Sequence, residues 1–361
     1  MRLRRLWLAD FRNYSHLDLE LPAGTSLFVG LNGEGKTNLL EAVYYLATMS
    51  SFRVKAADSM IRTGADVSEA VVRGEMVADQ REVLLEAALR STGRSQFQVN
   101  RQKVRRRELL GLVPVSVFMP DDLALLKGGP GERRRFIDDA LSQIDPRLDA
   151  ARADLESILR QRNALLRQSG GQLSSEVAVT LDVWDEKLAD VGERLADARR
   201  SLVANLEPKM AAAYEDIAVK PTPVSLTYES IWSPGELSEA LGRVRREDLR
   251  RGATTVGPHR DDVLVALAGR PGRTHASQGE QRSLALALRL AVHRELAETA
   301  GQFPLLLLDD VFSELDPERS KGVLEALQSE QTLLTTAGTL PSDLTYNARF
   351  RVVGGQVIRE T

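Results

Sequence analysis

The sequence predicts an α/β fold in which a mixed β-sheet is interrupted by an inserted, mainly helical arm. Three observations predict it: a buried strand runs into a glycine loop and a helix near residue 30, a second buried strand ends in two aspartates near residue 309, and helical periodicity separates the two. The predicted division is a first lobe over 1–144, an arm over 145–245 and a second lobe over 246–361.

Composition narrows the class of protein. Apolar residues make up 43% and charged residues 27% of the 361 residues, which is ordinary for a soluble globular protein. No apolar run is long enough to span a bilayer, and Asp10 and Arg12 interrupt the basic start before a signal-peptide core can form. We therefore expect a cytoplasmic protein with no membrane partner.

Cysteine, histidine and net charge exclude further classes. The chain has no cysteine, which rules out disulfides and thiolate metal sites and suits a reducing compartment. Four scattered histidines disfavour a zinc enzyme. Because the net charge is -3, any binding of nucleic acid must come from local basic patches.

The first lobe is predicted to contain strands, turns and one central helix. "LRRLWLADF" and "HLDLELP" indicate strands, and "GTSLFVGLN" indicates a buried strand that ends in the glycine loop. A helix should follow from Lys36 to about Thr48. "VVRGEMVA", "REVLLEAALR" and "RSQFQVNRQKV" predict a further meander of strands with polar positions facing solvent.

The arm is predicted to be a helical hairpin or a small helical domain inserted between the two halves of the rest of the chain. Its first helix has Pro146 near its start and would be about 35 Å long. The turn "SGGQLSS" separates it from a second helical stretch that begins at "EVAVTLDVW", with apolar residues at three- and four-residue spacing. Two interpretations stay open, a satellite bundle packed on the main domain or an arm that contacts a partner chain or DNA.

The rest of the chain returns to strands. "KPTPVSLTYESIWSPGE" looks like a linker, followed by a short helix and by the strand "DDVLVAL", which should pair with another strand. "FPLLLLDDVFSELD" predicts a fully buried strand that runs into an acidic loop. "TLLTTAG" and "RFRVVGGQVIRE" predict the last strands.

The glycine loop fits the spacing of a phosphate-binding loop between a strand and a helix. Glycines let such a loop curl so that backbone N–H groups surround phosphate oxygens. Lys36 would lie over the β- and γ-phosphates, and the Thr37 hydroxyl would bind Mg²⁺. The alternative is a glycine turn that only caps a helix. The candidate residues are Gly30, Leu31, Asn32, Gly33, Glu34, Gly35, Lys36 and Thr37.

The acidic strand "LLLLDD" predicts the partner of that loop. Asp309, at the strand end, would hold Mg²⁺ directly or through water. Asp310 stands where a carboxylate could orient or deprotonate an attacking water, so Lys36 and Asp310 are the candidate catalytic residues.

The stretch "HASQGEQRSLALALRLAV" is locally a helix start. Ser277 is a plausible N-cap, with Glu280 three residues later. Gly279 weakens the first turn yet lets another molecule approach the backbone, and the open N–H groups of such a turn suit an anion. A helix cap without a ligand is the alternative.

Several of these motifs together resemble a known family. "SQGEQ" followed by an acidic strand and "SELD" resembles the signature and D-loop of ABC-type ATPases. More closely, "GLNGEGKTNLLEAVYYL", "SFR", "PDDLALLKGGPGERRRFIDD", "GPHRDD", "SQGEQR" and "LLLLDDVFSELD", in this order, resemble the RecF family of SMC-like ATPases. The resemblance implies an ABC-type ATPase head with an inserted arm, and the arm itself matches in character only.

The resemblance assigns roles to individual residues. It implies that two chains sandwich two ATP molecules, each signature contacting the γ-phosphate that the other chain's loop holds. It implies that Arg12, in "FRNY", approaches the nucleotide phosphates, although a surface role is equally open. The residues placed at the nucleotide by the signature are Ser277, Gln278, Gly279 and Glu280, and those placed across the interface are Ser313, Glu314 and Asp316.

The resemblance also implies a biological role. Members are ATP-dependent DNA-binding proteins that form an ATP-induced homodimer and bind double-stranded DNA at gaps, single-strand–double-strand junctions or stalled forks. They work with RecR and RecO to place RecA on DNA coated by single-strand binding protein, in recombinational repair and the SOS response. The expected location is the cytoplasm, at the nucleoid.

Departures from the superfamily pattern point to slow hydrolysis. Asp310 stands where a catalytic glutamate is usual, and Thr335 or Thr336 where transporter-type members have a histidine. No Q-loop glutamine is evident, and the loop from Pro120 to Asp122 is the candidate replacement.

Two rival functions remain to be weighed. The missing histidine, the helical insert and the arginine clusters argue against the nucleotide-binding subunit of a transporter. The short arm argues against a purely structural scaffold.

Basic residues concentrate in three clusters, each of which is either a solvated face or a phosphate contact. Some arginines of the second cluster could instead build the interface beside the nucleotide. Because aromatic residues are only 5% of the chain, stacking of single-stranded bases is disfavoured, and we expect backbone binding with little sequence choice. The clusters are "RQKVRRRELL" (101–110), "GERRRF" (131–136) and "GRVRREDLRRG" (242–252).

Overall fold

The computed structural model describes residues 1–54, 56–65, 68–78, 81–218, 220, 222–338, 340–341 and 344–360, without the side chains of 57, 78, 81 and 314. These residues form two compact units. The first unit contains Met1–Asp122, Ala212–Pro221 and Arg282–Thr361, and the second contains Leu123–Ala211 and Thr222–Gln281.

An antiparallel sheet forms one side of the first unit. Its central strands alternate buried and more exposed positions, as expected when one face packs on a core. From edge to edge it contains β2 (Tyr14–Glu20), β1 (Arg2–Phe11), β4 (Glu69–Ala78), β5 (Arg81–Arg90), β6 (Gln96–Val99) and β7 (Gln102–Val104).

A mixed sheet forms the other side of the first unit. Neighbouring strands of this sheet are parallel, except for an antiparallel hairpin at one edge. From edge to edge it contains β15 (Gln356–Glu360), β14 (Ala348–Val353), β3 (Gly24–Val29), β13 (Gln331–Thr336), β12 (Leu305–Asp309) and β8 (Val115–Phe118).

Helix α1 (Lys36–Thr48) lies between these two sheets and contacts strands of both. Nearly every residue of its sequence KTNLLEAVYYLAT is buried, which is typical of a helix enclosed on all sides. Leu39, Leu40 and Leu46 pack there with Phe28 of β3 and Leu85 of β5. Because residues 30–35 join the end of β3 to the start of α1, this core holds the glycine loop at the carboxyl edge of the mixed sheet.

The second unit is mainly helical but contains a sheet of its own. In this sheet β10 (Asp262–Leu267) pairs antiparallel with both β9 (Val224–Glu229) and β11 (Arg270–Pro271). Its helices are α3 (Ala124–Lys127), α4 (Pro130–Ile144), α5 (Pro146–Gln168), α7 (Leu237–Arg251) and α8 (Gly272–His275).

The remaining helices complete the chain. Helix α6 (Ser175–Ile217) and helix α9 (Gln278–Ala300) each contribute residues to both units. Helices α2 (Arg106–Leu109) and α10 (Pro317–Ala326) belong to the first unit. Short 3-10 helices span Ala57–Met60, Pro120–Leu123 and Val311–Glu314.

A buried ion-pair cluster joins the helices of the second unit. Arg162 on α5 is fully buried, and its guanidinium donates to Asp185 of α6 at 2.7 Å and to Asp248 of α7 at 2.7 Å. The same guanidinium donates to the Thr254 hydroxyl at 2.9 Å. A charge buried this deeply is tolerable only with such partners, so the cluster requires these three helices to be in register.

Most predicted elements are confirmed, and one prediction is wrong. The strands and the helix of the first lobe, the helical hairpin formed by α5 and α6, and the late strands lie where the sequence placed them. The stretch read as a linker instead contains β9, the pairing partner of the "DDVLVAL" strand. Three prolines and a short apolar run made this stretch look unstructured, and only pairing with β10 makes it a strand. The division into two lobes and an arm stays a prediction about the roles of these segments.

Candidate nucleotide-binding site

The glycine loop has a backbone that only glycine adopts readily. Gly33 and Gly35 have φ of 88° and 113°, in the region that favours glycine. A Cβ on Gly35 would lie 2.4 Å from the Asn13 amide nitrogen, and one on Gly30 would lie 2.4 Å from the Val352 carbonyl oxygen. Gly35 is the N-cap of α1 and offers no side-chain cap, so the first-turn N–H groups face the loop as an anion site would require.

Lys36 lies inside this loop. Its Nζ donates to the carbonyl oxygens of Gly30 at 2.7 Å and Leu31 at 2.8 Å. Burial lowers the pKa of its ammonium, whereas the nearby carboxylates of Asp310 and Asp309 raise it. The ammonium is therefore positioned over the loop and electrostatically coupled to the acidic strand.

The structure brings Thr37 and Asp309 together although 272 positions separate them. The Thr37 hydroxyl donates to the two Asp309 carboxylate oxygens at 2.8 and 3.0 Å. They meet because β3 and β12 both flank β13 in parallel, so all three strands end at one edge of the sheet. One hydroxyl and one carboxylate are hard oxygen donors that suit Mg²⁺, which usually keeps waters and substrate phosphates as its other ligands.

Within the described part of the chain, no group of three or more metal-ligating His, Cys, Asp or Glu side chains occurs. Thr37 and Asp309 are the side chains that could hold a Mg²⁺ ion at this edge. Burial raises the pKa of Asp309, and hydrogen bonds from Thr335 and Thr37 lower it.

The two threonines left open by the sequence both take part. The Thr335 hydroxyl donates to Asp309 Oδ1 at 2.6 Å. The Thr336 hydroxyl lies 3.4 Å from Asp310 Oδ1, which also accepts from the Ala337 N–H at 3.3 Å. The end of β13 thus supplies hydroxyl groups that contact both aspartates.

Arg12 is anchored by a residue that the sequence analysis did not single out. Its Nε and Nη2 donate to the Glu41 carboxylate at 2.8 and 2.6 Å, and its Nη1 donates to the Ser59 carbonyl at 2.6 Å. Glu41 is fully buried on α1. An acid inside the apolar run "LLEAVYYL" needs a partner, and this was the available signal. Contact of Arg12 with a nucleotide stays a prediction.

The loop residue Glu34 is held by a distant hairpin. Its carboxylate accepts from the N–H of Gly354, and its carbonyl accepts from the N–H of Gly355 at 3.3 Å and from the Asn13 amide at 2.9 Å. Gly354 and Gly355 form the turn between β14 and β15, with φ of 57° and 76°. These contacts fix the back of the glycine loop, and the sequence analysis did not find them.

The signature stretch forms the predicted helix start. The Ser277 N–H donates to the Glu280 carboxylate at 2.7 Å, and the Glu280 N–H donates to the Ser277 hydroxyl at 3.3 Å. Ser277 and Gln278 are exposed. The predicted N-cap of Ser277 with Glu280 is confirmed, and it leaves this end of α9 accessible to an anion from outside. Binding of a nucleotide by Ser277, Gln278, Gly279 and Glu280 stays a prediction.

The D-loop residues are described in part. Ser313 is exposed, and its hydroxyl donates to the Asp310 carbonyl at 2.8 Å. Asp316 caps α10 by accepting from the Arg319 N–H at 3.0 Å, and this hydrogen bond lowers the pKa of Asp316. The side chain of Glu314 lies outside the described atoms. Their predicted place at an interface is untested.

One residue of the candidate Q-loop segment, Asp122, is engaged in hydrogen bonds within the fold. Asp122 is buried and accepts from Nε and Nη2 of Arg289 on α9 at 2.9 and 2.6 Å. It also accepts from the Met119 N–H at 2.9 Å. Asp122 is therefore engaged in packing α9 against the end of β8, which leaves Pro120 and Asp121 as the accessible part of this segment.

Known proteins resemble the chain over nearly all of its length. The family described as "RecF/RecN/SMC N terminal domain" matches residues 2–338. The protein named DNA replication and repair protein RecF from Streptomyces avermitilis is 42% identical over 354 residues, which cover 93% of each chain. The protein of the same name from Beutenbergia cavernae is 39% identical over 398 residues, covering 99% of this chain and 100% of that one.

Solved structures agree. A structure of the recombination mediator protein RecF with ATPrS, described as part of the RecFOR pathway, superimposes with a TM-score of 0.90 and 31% identity, covering 100% of this chain and 98% of that one. An SMC head bound to the C-terminal winged-helix domain of ScpA has a TM-score of 0.57 at 16% identity, with 100% and 97% coverage. This second likeness shows the fold alone.

Proposed function

Because the chain belongs to the RecF family of SMC-like, ABC-type ATPases, we propose that it is an ATP-dependent DNA-binding protein of recombinational repair. In this proposal ATP joins two chains into a dimer that binds duplex DNA at gaps or stalled forks. Slow hydrolysis then releases the dimer. The expected partners are RecR and RecO, and the setting is the nucleoid in the cytoplasm during the SOS response.

The convergence of Thr37 and Asp309 is the observation that supports this proposal most directly. These side chains lie 2.8 Å apart at the sheet edge, beside the loop that encloses Lys36. A bound Mg²⁺ would neutralise developing charge on the triphosphate. The protein's own contribution is to orient the phosphates with loop N–H groups and with the Lys36 ammonium.

Asp310 is the proposed carboxylate that orients the attacking water. It has a left-handed backbone with φ of 48°, directly after β12. Its side chain is held by the Ala337 N–H and lies near the Thr336 hydroxyl. An aspartate is one methylene shorter than the usual glutamate, so its reach to a water is reduced and slow turnover is expected.

The dimer is proposed because the signature end of α9 is exposed and its Ser277 cap is complete within its own chain. Such a helix end can accept the γ-phosphate bound by a second copy. The name of a structural relative, which places that protein in the RecFOR pathway, supports RecR and RecO as partners. Among the described residues, no helix is long and apolar enough to cross a membrane.

Light scattering with and without ATP tests this proposal, followed by the same measurement with a gapped duplex. We expect the mass to double with ATP and Mg²⁺ but not with ADP, and we expect DNA to bind the ATP form more tightly. A protein that stays monomeric in saturating ATP, or that binds the duplex equally with ATP and ADP, would contradict the clamp.

A further inference from the structure

The three basic clusters differ in whether their arginines have partners within the protein. In the second cluster, Arg133 forms a bidentate pair with Asp262 at 2.8 Å, and the Arg134 guanidinium donates to the Asp261 carbonyl. These arginines hold α4 against β10. Their charge is used inside the second unit and is not available to a large anionic partner.

The third cluster, on α7, is also largely neutralised. Arg245 pairs with Asp185 at 2.7 Å and with Asp182 at 2.6 Å. Arg250 and Arg251 both pair with Glu247, and they hold the pKa of that carboxyl down at about 2. Most arginines of these two clusters are therefore engaged within the second unit, whereas Arg246 is exposed and forms no ion pair among the described residues.

The first cluster is different. From residue 91 to residue 107 the chain carries six basic and no acidic residues. Five of them are exposed, and within the described part of the chain none of the five forms an ion pair with a carboxylate. We call these five side chains the basic ridge: Arg94, Arg101, Lys103, Arg105 and Arg107.

The fold presents the basic ridge on a firmly held platform. It follows the β6–β7 hairpin, at the edge of the antiparallel sheet, and continues into α2. Phe97 and Val99 of β6 pack on the core, and the Asn100 N–H at the hairpin turn donates to the Leu84 carbonyl at 2.8 Å. Arg106, the sixth basic residue, donates to the Met49 carbonyl and ties α2 to the end of α1.

Glu108, the acidic residue nearest in sequence, does not form an ion pair with any side chain of the basic ridge. Glu108 accepts from the backbone N–H of Arg105 at 2.6 Å and so belongs to the start of α2. Elsewhere on the same sheet the charges cancel in pairs, as with Arg73 and Glu86 on neighbouring strands. The positive potential of this sheet is therefore concentrated at its β7 edge.

We propose that the basic ridge binds the phosphate backbone of duplex DNA. This inference rests on the proposed function and names the surface that performs it. Unpaired cations in a row, with the neutral donors Gln98 and Asn100 among them, are what sequence-independent phosphate binding requires. The only aromatic ring of the stretch, Phe97, is packed on the core, so stacking on bases is not available to it.

A lipid surface fits this ridge less well. A membrane-binding surface combines cations with exposed apolar side chains that insert among lipids. Within the described residues from 91 to 107, no large apolar side chain is exposed. The chemistry therefore favours a polyanion whose charged groups lie on its outer surface. Duplex DNA, with its phosphates on the outside, is such a partner.

Anisotropy of a labelled gapped duplex, titrated with the ATP-bound protein at several salt concentrations, tests the ridge. The test variant carries R94Q, K103Q, R105Q and R107Q. The matched control removes the same charge from α7 with R243Q, R246Q, R250Q and R251Q.

Each lost phosphate contact should reduce the slope of log K against log salt by about 0.9. We expect a reduction of up to about 3.6 and at least roughly tenfold weaker binding at 0.15 M salt in the ridge variant. The control should stay within about twofold of the parent.

Light scattering with ATP checks that both variants still dimerise. Should the fourfold ridge variant fail to fold, the pair R101N and K103Q replaces it, because asparagine tolerates the left-handed backbone at Arg101. The expected loss of slope is then about 1.8.

Distinct outcomes separate the two proposals. If the parent protein does not bind the duplex, the proposed function fails. If the parent binds and a folded ridge variant keeps its slope and affinity, or the α7 control loses as much, the ridge is wrong and the function stands. Loss of binding to phosphatidylglycerol vesicles with unchanged duplex binding would also overturn the ridge.

Discussion

The substitution T335V tests whether Thr335 prepares Asp309 for Mg²⁺. Thr335 is fully buried, and its hydroxyl donates to Asp309 Oδ1 at 2.6 Å. Valine keeps the shape of threonine but removes this donor. A hydrogen bond to a charged group contributes about 1.5 to 3 kcal/mol, so Mg²⁺-dependent binding of ATP should weaken by roughly 10- to 150-fold.

The pH dependence of T335V supplies a second signature. Burial raises the pKa of Asp309 and the Thr335 hydrogen bond lowers it, so removing that bond moves the pKa of Asp309 further up. Mg²⁺ needs the ionised carboxylate, and a higher pKa means that protonation begins at a higher pH. The affinity gap between T335V and the parent should therefore widen as the pH falls from 8 to 6.

Titration of a fluorescent ATP analogue with and without Mg²⁺ measures both effects. T336V is the matched control, because its hydroxyl lies 3.4 Å from Asp310 and does not contact Asp309. Urea unfolding verifies that each variant is folded. Equal Mg²⁺-dependent affinities for T335V and T336V across this pH range would refute the proposed role of Thr335.

Four other substitutions probe separate parts of the molecule. K36M should abolish ATP-dependent dimerisation, and an ATP-induced dimer in light scattering would contradict the role of the glycine loop. S277R should leave nucleotide binding intact but block pairing, and loss of ATP binding in the monomer would mean that this serine serves its own chain. D310N should trap the ATP dimer, whereas hydrolysis at the parental rate would exclude Asp310 as the catalytic carboxylate. R162M should lower the free energy of unfolding by about 3 to 5 kcal/mol, because the buried Asp248 loses its guanidinium partner and Asp185 keeps only Arg245; urea unfolding that gives less than about 1 kcal/mol would show that the cluster adapts.

Elements with strong local signals were predicted closely. Helix α1 spans Lys36–Thr48 as expected, because a glycine loop marks its start and an almost continuous apolar run marks its body. The capping arrangement of Ser277 and Glu280 was also predicted. In both cases the residues that determine the structure lie within one or two turns of each other.

The linker prediction failed for the opposite reason. The segment that became β9 has only a short apolar run between prolines, and its strand conformation depends on hydrogen bonds to β10, which lies nearly forty positions later. A strand stabilised mainly by a distant partner gives little periodic signal of its own.

By itself the sequence determined which chemical groups are available and which local conformations they adopt. The loop glycines, Lys36 and the two terminal aspartates of "LLLLDD" could be read directly, since their spacing alone implies the conformation that phosphate and Mg²⁺ require. Only the tertiary structure decided which groups are paired. Thr37 is hydrogen-bonded to Asp309, which lies 272 positions later in the chain. Glu41 pairs with Arg12, which lies 29 positions earlier. Long-range pairing likewise engages Arg133 with Asp262 and Arg245 with Asp185, whereas the basic ridge forms no ion pair among the described residues. A charge is cancelled by whatever lies within a few ångströms of it in space, wherever that partner stands in the chain.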